Sequence, residues 1–333
     1  MLLFPKIPLY PNDRWRESGM TRLRDIVEKV REESSKVLVG REKDVKLILF
    51  AVFAEGHALV EGIPGIAKTL TTKVVAKLLD LKFSRIQCTV DTLPSDIIGT
   101  RVFNQKTGDF ELRLGPIYSN IVLVDEINRA SPRAQSALLE AMQERQITID
   151  GETIKLPRPF IVLATQNPIE LEGTFPLPEA QLDRFFIKVE MRSLERDKLI
   201  SLLKRGIKVI EKEFEALKPI VGPEDIDKAS REIEEVYVDE SILDYISKIV
   251  EYSHRHEAVR LGITPRGALL LLTLAKEFAL LDDRKYLIPD DVKEAAIPAL
   301  SHRILLKPEY IAEGYTGSRI ISDILSRVEV PRP

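Results

Sequence analysis

Gly62-Ile63-Pro64-Gly65-Ile66-Ala67-Lys68-Thr69 combines the residue types that hold phosphate. Glycines let successive backbone N–H groups converge on one anion, and a helix beginning at their end adds its positive pole. A lysine placed there reaches the β- and γ-phosphates of a nucleotide, and the hydroxyl that follows holds Mg²⁺. Lys68 and Thr69 stand in those two places. The flanks are those a phosphate loop needs. Ala58-Leu59-Val60 reads as a buried strand, and Leu70, Val74, Val75, Leu78 and Leu79 fall on one face of a helix. Gly62 to Leu70 is the candidate nucleotide-binding segment.

The strict pattern has glycine where this chain has Ala67. Alanine is the smallest substitute and suits the first turn of a helix, so the loop could still form if φ there is negative.

The rest of the site is sought on neighbouring strands. Phe83 to Cys88, Ile121 to Val124, Phe160 to Thr165 and Phe185 to Val189 read as further strands, separated by helical stretches. Apolar runs joined by helical crossovers imply a parallel sheet, whose ligands bind at the carboxyl ends of the strands. Asp125-Glu126 follows one strand and Asn167 another. Asp125 is placed to share the Mg²⁺ shell with Thr69, Glu126 to act as general base toward a water, and Asn167 to orient that water.

Composition narrows the classes. The chain has 333 residues and a net charge of −3, so no global basic field points to nucleic acid. Cys88 is the only cysteine, which excludes a disulfide framework. It reads as a small core residue. No apolar run is long enough to span a bilayer, and Met1 to Lys6 lacks a signal-peptide layout, so a cytoplasmic protein is expected. Residues 1–19 carry Pro5, Pro8, Pro11 and the only tryptophan, Trp15. They read as an extended arm, or as an extension upstream of a natural start at Met20.

Longer stretches now carry a resemblance. Val39-Gly40-Arg41-Glu42, Gly56 to Thr69, Asp125-Glu126-Ile127-Asn128-Arg129-Ala130, Gln135 to Arg145, Ala164-Thr165-Gln166-Asn167-Pro168 and Leu177 to Phe185 resemble the MoxR family of AAA+ ATPases, in the helix-2-insert clade. The resemblance runs from about Val27 to near the C-terminus, and the family tolerates alanine in the loop. It implies a P-loop α/β domain with a five-stranded parallel sheet, followed by a small all-helical lid domain. The expected bounds are 20–192 and 193–333. It further implies that Lys68 and Thr69 are Walker A, that Asp125 and Glu126 are Walker B, and that Asn167 is sensor 1. Arg184 resembles the arginine finger that reaches a neighbouring subunit's γ-phosphate. Arg266 resembles sensor 2, and Val39 and Gly40 resemble the segment lining the adenine. Arg129 and Arg133 are further interface candidates, with a solvated helix face as the alternative.

Two hairpins are expected. Arg101-Val102-Phe103 and Phe110-Glu111-Leu112 flank a turn at Lys106-Thr107-Gly108-Asp109, and Gln146 to Ile154 folds about Asp150-Gly151. They resemble the helix-2 insert and the pre-sensor-1 hairpin. From Ser193 the pattern is helical, with helices expected over Leu194 to Ile210, Ile226 to Val236, Glu240 to Arg255, Arg266 to Leu281 and Asp290 to Leu305. His254 and His256 lie two apart, so a helix points them to different sides, which argues against a metal pair.

The sequence thus reads as a Mg²⁺-dependent, ATP-hydrolysing ring, a hexamer by resemblance. The resemblance also implies chaperone-like remodelling, maturation or cofactor insertion, with a von Willebrand factor A-domain protein as partner. The rivals are a nucleic-acid-dependent motor, a nucleotide switch without turnover, and a chelatase-like subunit. Net charge and the absence of a winged-helix or zinc motif weigh against the first, and Glu126 with Asn167 and Arg184 against the second.

Overall fold

The structure is a computed structural model and describes residues 22–166 and 174–331. The arm expected at residues 1–19 and the sensor residue Asn167 lie outside the described residues. Contacts group the chain into two compact units, Ile26–Ser230 and the residues from Arg231 onward together with Arg22–Asp25.

The first unit opens with α1 (Arg22–Ser35, its first turn excepted) and α2 (Glu42–Phe53). Next come β1 (Ala58–Glu61), α3 (Lys68–Leu78), β2 (Phe83–Gln87) and the short α4 (Pro94–Ile98). β3 (Gly99–Asn104) and β4 (Asp109–Leu114) form a hairpin. β5 (Ile121–Asp125) leads through a 3₁₀ turn to α5 (Pro132–Glu144). A second hairpin, β6 (Gln146–Ile149) with β7 (Glu152–Lys155), precedes β8 (Ile161–Gln166), α6 (Glu179–Leu182) and β9 (Ile187–Glu190).

Five strands make one sheet in the order β2-β5-β8-β1-β9, and every neighbouring pair is parallel. Every residue of β5 is buried, as are Ile161 to Thr165 of β8. That matches their unbroken apolar runs, because helices cover both faces of such a sheet. The register aligns Glu61 with Gln166 and Gln87 with Asp125. The loop after β1, the Asp125-Glu126 step and the end of β8 therefore emerge along one edge. Both expected hairpins are present. The second turns through Asp150 and Gly151 at φ 48° and 83°, the left-handed pair that a two-residue turn between twisted strands requires.

Beyond β9 the expected single helix is two, α7 (Arg196–Arg205) and α8 (Ile207–Ala216). Gly206, at φ 71°, ends the first. Neither helix buries a residue. α8 is tied back to the phosphate-loop helix. Lys77 Nζ donates to the carbonyls of Phe214 (2.7 Å) and Glu215 (2.9 Å), and Leu78 O accepts from the N–H groups of Ile220 and Val221. α9 (Pro223–Glu235) continues the tie, with Ser230 Oγ donating to Phe53 O at 2.6 Å. These bonds hold residues up to 230 to the sheet unit, although the helical pattern begins at 193.

The second unit contains α10 (Glu240–Arg255), α11 (Pro265–Leu281), α12 (Pro289–Leu300), α13 (Pro308–Ala312) and α14 (Gly317–Arg327). A short ladder, β10 (Val259–Leu261) with β11 (Leu305–Leu306), is its only paired sheet among the described residues. Ile249, Leu271, Leu274, Val292, Ala296 and Ile321 are fully buried in its core. The Glu232 carboxylate accepts the first N–H groups of α1, from Arg22 and Leu23, so that turn belongs with this unit. His254 Nε2 donates to Ile263 O, and His256 Nε2 to Asp323 Oδ2 at 2.8 Å, so each histidine has its own structural partner.

Glu277 of α11 is 0 % exposed, and neither carboxyl oxygen has a hydrogen-bond partner among the described residues. Burial pushes its pKa well above the ordinary 4.5. Between those values the folded chain keeps a proton that the unfolded chain releases. The stability that this proton preserves is fully present below the unfolded pKa. It is lost as pH rises toward the folded value, by about 1.4 kcal/mol per pH unit. Glu277→Leu is expected to stabilise the chain more at pH 8 than at pH 4. Denaturant midpoints at the two pH values check this, and an equal gain at both would contradict it.

Candidate nucleotide site

The loop Gly62–Ala67 links β1 to α3, and Lys68 is the first residue of that helix. Ile63, Pro64 and Gly65 are exposed, while Ile66 plugs into the core beneath them at 7 % exposure. Gly65 has φ 78°, and a Cβ built there would touch nothing, so the loop presents bare backbone outward. Lys68 Nζ donates to Gly62 O at 2.9 Å, closing the loop on itself. Burial lowers the Lys68 pKa, and the carboxylates of Asp125 and Glu126 act against that shift. The lysine therefore lies within the field of both acidic groups.

The loop forms without the negative φ on which its tolerance of Ala67 was made to depend. Ala67 sits at φ 71°, ψ 25°, in the left-handed region. A Cβ there is strained, which explains the usual glycine. Such strain survives where surrounding structure over-determines the backbone, as functional loops do. Ala67→Gly is expected to stabilise the fold by about 1 kcal/mol. A higher denaturant midpoint at unchanged m would show it, and a lower one would place Ala67 elsewhere in φ.

Across the sheet edge, Asp125 ends β5 and is buried. Its Oδ1 accepts from Thr165 Oγ1 (3.2 Å) and its Oδ2 from Arg85 Nε (2.6 Å). Glu126 follows in the left-handed region at φ 57°, ψ 51°, which turns its side chain out of the strand. Its N–H donates to Thr165 Oγ1 at 2.9 Å. Its carboxylate accepts from Arg129 Nη1 (3.1 Å) and Gln87 Nε2 (3.4 Å). Arg129, expected at an interface or in solvent, thus pairs with Glu126 of its own chain.

Thr165, Arg85 and Gln87, to which no motif in the sequence assigns a role, join the site through these contacts. Arg85 and Gln87 alternate with buried Ile86 on a strand in register with Asp125, a pattern that puts two polar side chains beside it. Cys88 lies just beyond, and its burial, with Asp125 and Glu126 nearby, pushes its thiol up to about 12. That suits an inert core residue.

Gly40 (φ 68°) and Val39 are half-buried, and a Cβ at Gly40 would come within 3.0 Å of Leu194 and 3.4 Å of Lys198. Arg41 pins this segment by donating to Arg192 O (2.8 Å) and to Asp44 (3.2 Å).

Arg184 is placed differently. It precedes β9, whose Ile187 pairs with Ala58 at the start of β1, whereas the loop follows the end of β1. The two lie at opposite edges of the sheet, separated by about 13 Å of strand. Arg184 Nη1 donates to Leu139 O of α5 at 3.2 Å. At the same edge His57 accepts the Val162 N–H at Nδ1 and meets Met142 O through Nε2, both at 3.0 Å, joining β1, β8 and the end of α5. Arg266 is exposed in the first turn of α11, in the second unit. That helix is capped by Thr264, whose hydroxyl accepts the Gly267 N–H.

Comparison with known proteins agrees with this geometry. Residues 57–187 match the ATPase family associated with various cellular activities (AAA), and residues 251–324 match the AAA lid domain. Chaperone MoxR1 of Mycobacterium tuberculosis is 37% identical over 311 residues, which cover 90% of this chain and 81% of that protein. The chain belongs to the MoxR family of AAA+ ATPases. YeaC of Bacillus subtilis is 45% identical over 93% of this chain and 96% of its own length. A solved structure from Cytophaga hutchinsonii superposes with a TM-score of 0.86 at 41% identity, covering 93% of this chain and 96% of that one. The MoxR fold is thus a parallel-sheet AAA unit followed by a helical lid. No helix among the described residues is long and apolar enough to cross a membrane.

Proposed function

We propose that this MoxR-family chain hydrolyses ATP with Mg²⁺ as a ring of its own copies, a hexamer. It would use the cycle to remodel, mature or load cofactor into a partner complex. The observation that carries the reading is the convergence at one sheet edge of the open loop 62–69, buried Asp125 and outward-turned Glu126, with Lys68 in the field of both carboxylates. The loop N–H groups and Lys68 bind and orient the phosphates. Thr69 and Asp125 supply hard oxygen donors of the kind Mg²⁺ prefers, and the ion would neutralise charge on the β- and γ-phosphates. Glu126 accepts the proton of the attacking water, and Asn167, at the end of β8 in sequence, would orient it. Val39 and Gly40 would face the base. Arg266 would act from the lid.

The chaperone role is supported by the name of the Mycobacterium tuberculosis relative. A partner with a von Willebrand factor A domain is proposed on family resemblance.

Lys68→Ala tests the loop. Nucleotide affinity should fall by roughly 10- to 100-fold, since a hydrogen bond to a charged group is worth about 1.5–3 kcal/mol. Unchanged binding of a fluorescent ATP analogue would reject the assignment.

A further inference from the structure

Asp125 has a protein donor on each carboxylate oxygen, and the two donors differ in character. Thr165 is fully buried on β8, and its hydroxyl also accepts the Glu126 N–H, so two strands lock it in place. Arg85 lies on β2, the edge strand of the sheet, and its side chain is 48% exposed against 9% for Asp125. Its Nε meets Oδ2 at 2.6 Å. Its Nη2 donates to Gln87 Oε1 at 2.7 Å, which keeps the guanidinium aimed at the carboxylate.

We propose that Arg85 is a cation gate on Asp125: it competes with Mg²⁺ for Oδ2 and so sets the Mg²⁺ concentration at which the site engages nucleotide. The proposal rests on the reading of loop 62–69 and Asp125 as a nucleotide–metal site. Two cations brought to one buried carboxylate oxygen repel each other strongly at interior dielectric. One of the present donors must therefore yield to the metal or its bound water. Thr165 cannot move without stranding the Glu126 N–H. Arg85 withdraws into solvent, where a guanidinium is well hydrated and its edge strand leaves room. Gln87 also touches Glu126, so withdrawal of Arg85 releases a side chain that contacts the proposed base. The gate thus links metal arrival at Asp125 to the freedom of Glu126. Arg85 is a positioning residue here and does not touch the reacting atoms.

The test is a Mg²⁺ titration of fluorescent ADP binding to the full chain, read as the half-saturating Mg²⁺ concentration. Arg85→Ala should lower that concentration about tenfold, the scale on which groups behind a metal ligand tune affinity. Arg85→Gln keeps an N–H for Asp125 without the charge and should move the same way. It serves if the alanine variant unfolds, which thermal melting without nucleotide reports. Arg85→Lys keeps the cation and should stay near the native value. A raised or unchanged half-saturation in both neutral variants would overturn the gate and make Arg85 an orienting partner of Asp125. A native chain that binds fluorescent ADP at no Mg²⁺ concentration would instead overturn the nucleotide site itself, and the gate with it.

Discussion

Replacing Arg184 with alanine is expected to leave ATP binding intact and to lower turnover about a thousandfold, the lower end of what a guanidinium at a γ-phosphate contributes. That corresponds to about 4 kcal/mol of transition-state stabilisation. The expectation rests on where β9 begins. Ile187 pairs with Ala58, so Arg184 stands at the amino edge of the sheet while the loop of the same chain leaves the carboxyl edge. One arginine side chain does not bridge the length of β1. If Arg184 acts on a phosphate, it acts on the phosphate of a neighbouring copy. Its hydrogen bond to Leu139 O fixes it to α5 and so to the body of the sheet, giving the guanidinium a rigid base. Mixing supplies the decisive comparison. Arg184→Ala and Lys68→Ala are each expected to be nearly inactive alone. Together they form some interfaces with an intact loop on one side and an intact Arg184 on the other, so part of the activity returns. No recovery at any mixing ratio would contradict a role across subunits.

Glu126→Gln is expected to bind ATP as well as the native chain and to hydrolyse it about 10²- to 10⁴-fold more slowly, the usual contribution of a positioned general base. The amide keeps the shape of the carboxylate and its capacity to accept from Arg129 and Gln87 but takes no proton from water. The left-handed backbone at Glu126 is untouched by the change, so the fold should be unaffected. Arrest with ATP bound should also hold the ring together, read as a larger species by light scattering. Single-turnover phosphate release separates the steps. A normal rate would move the base elsewhere, and a loss of binding would mean that Glu126 shapes the pocket and does not activate water.

Much of this arrangement was legible because local chemistry and tertiary structure agree. The runs Ile121 to Val124 and Phe160 to Thr165 read as covered strands because they are short, apolar and bounded by polar residues or proline, and the turns at Gly108 and Asp150-Gly151 specified hairpins without help from packing. Where the reading missed, the deciding cause lay outside the local window. Ala67 adopts a left-handed φ at the N-cap of α3, and no property of alanine signals that. Gly206 divides an apparently continuous amphipathic stretch, because a glycine within a helical pattern is compatible with either interior or cap until the chain direction is known. Residues 193–230 carry the helical pattern expected of the lid, and contacts group them with the sheet unit. Lys77, Leu78 and Phe53 hold them to the sheet unit through backbone carbonyls that no sequence pattern marks. Helix α14 has a legible signal that lies outside the expected helices, with Ile320, Ile321 and Ile324 on one face behind a Thr316 cap. Arg85 and Thr165 become site residues only through the order β2-β5-β8, which places them on either side of Asp125.

Completion of the ATPase by a neighbouring subunit can be read from phosphate release per subunit across a range of subunit concentrations, with Mg²⁺ and saturating ATP. The specific rate is expected to rise with concentration and to level off as a ring forms, in step with particle size. A specific rate that stays constant down to concentrations where sizing shows only monomer would contradict completion by a neighbour, because a single chain would then suffice for hydrolysis.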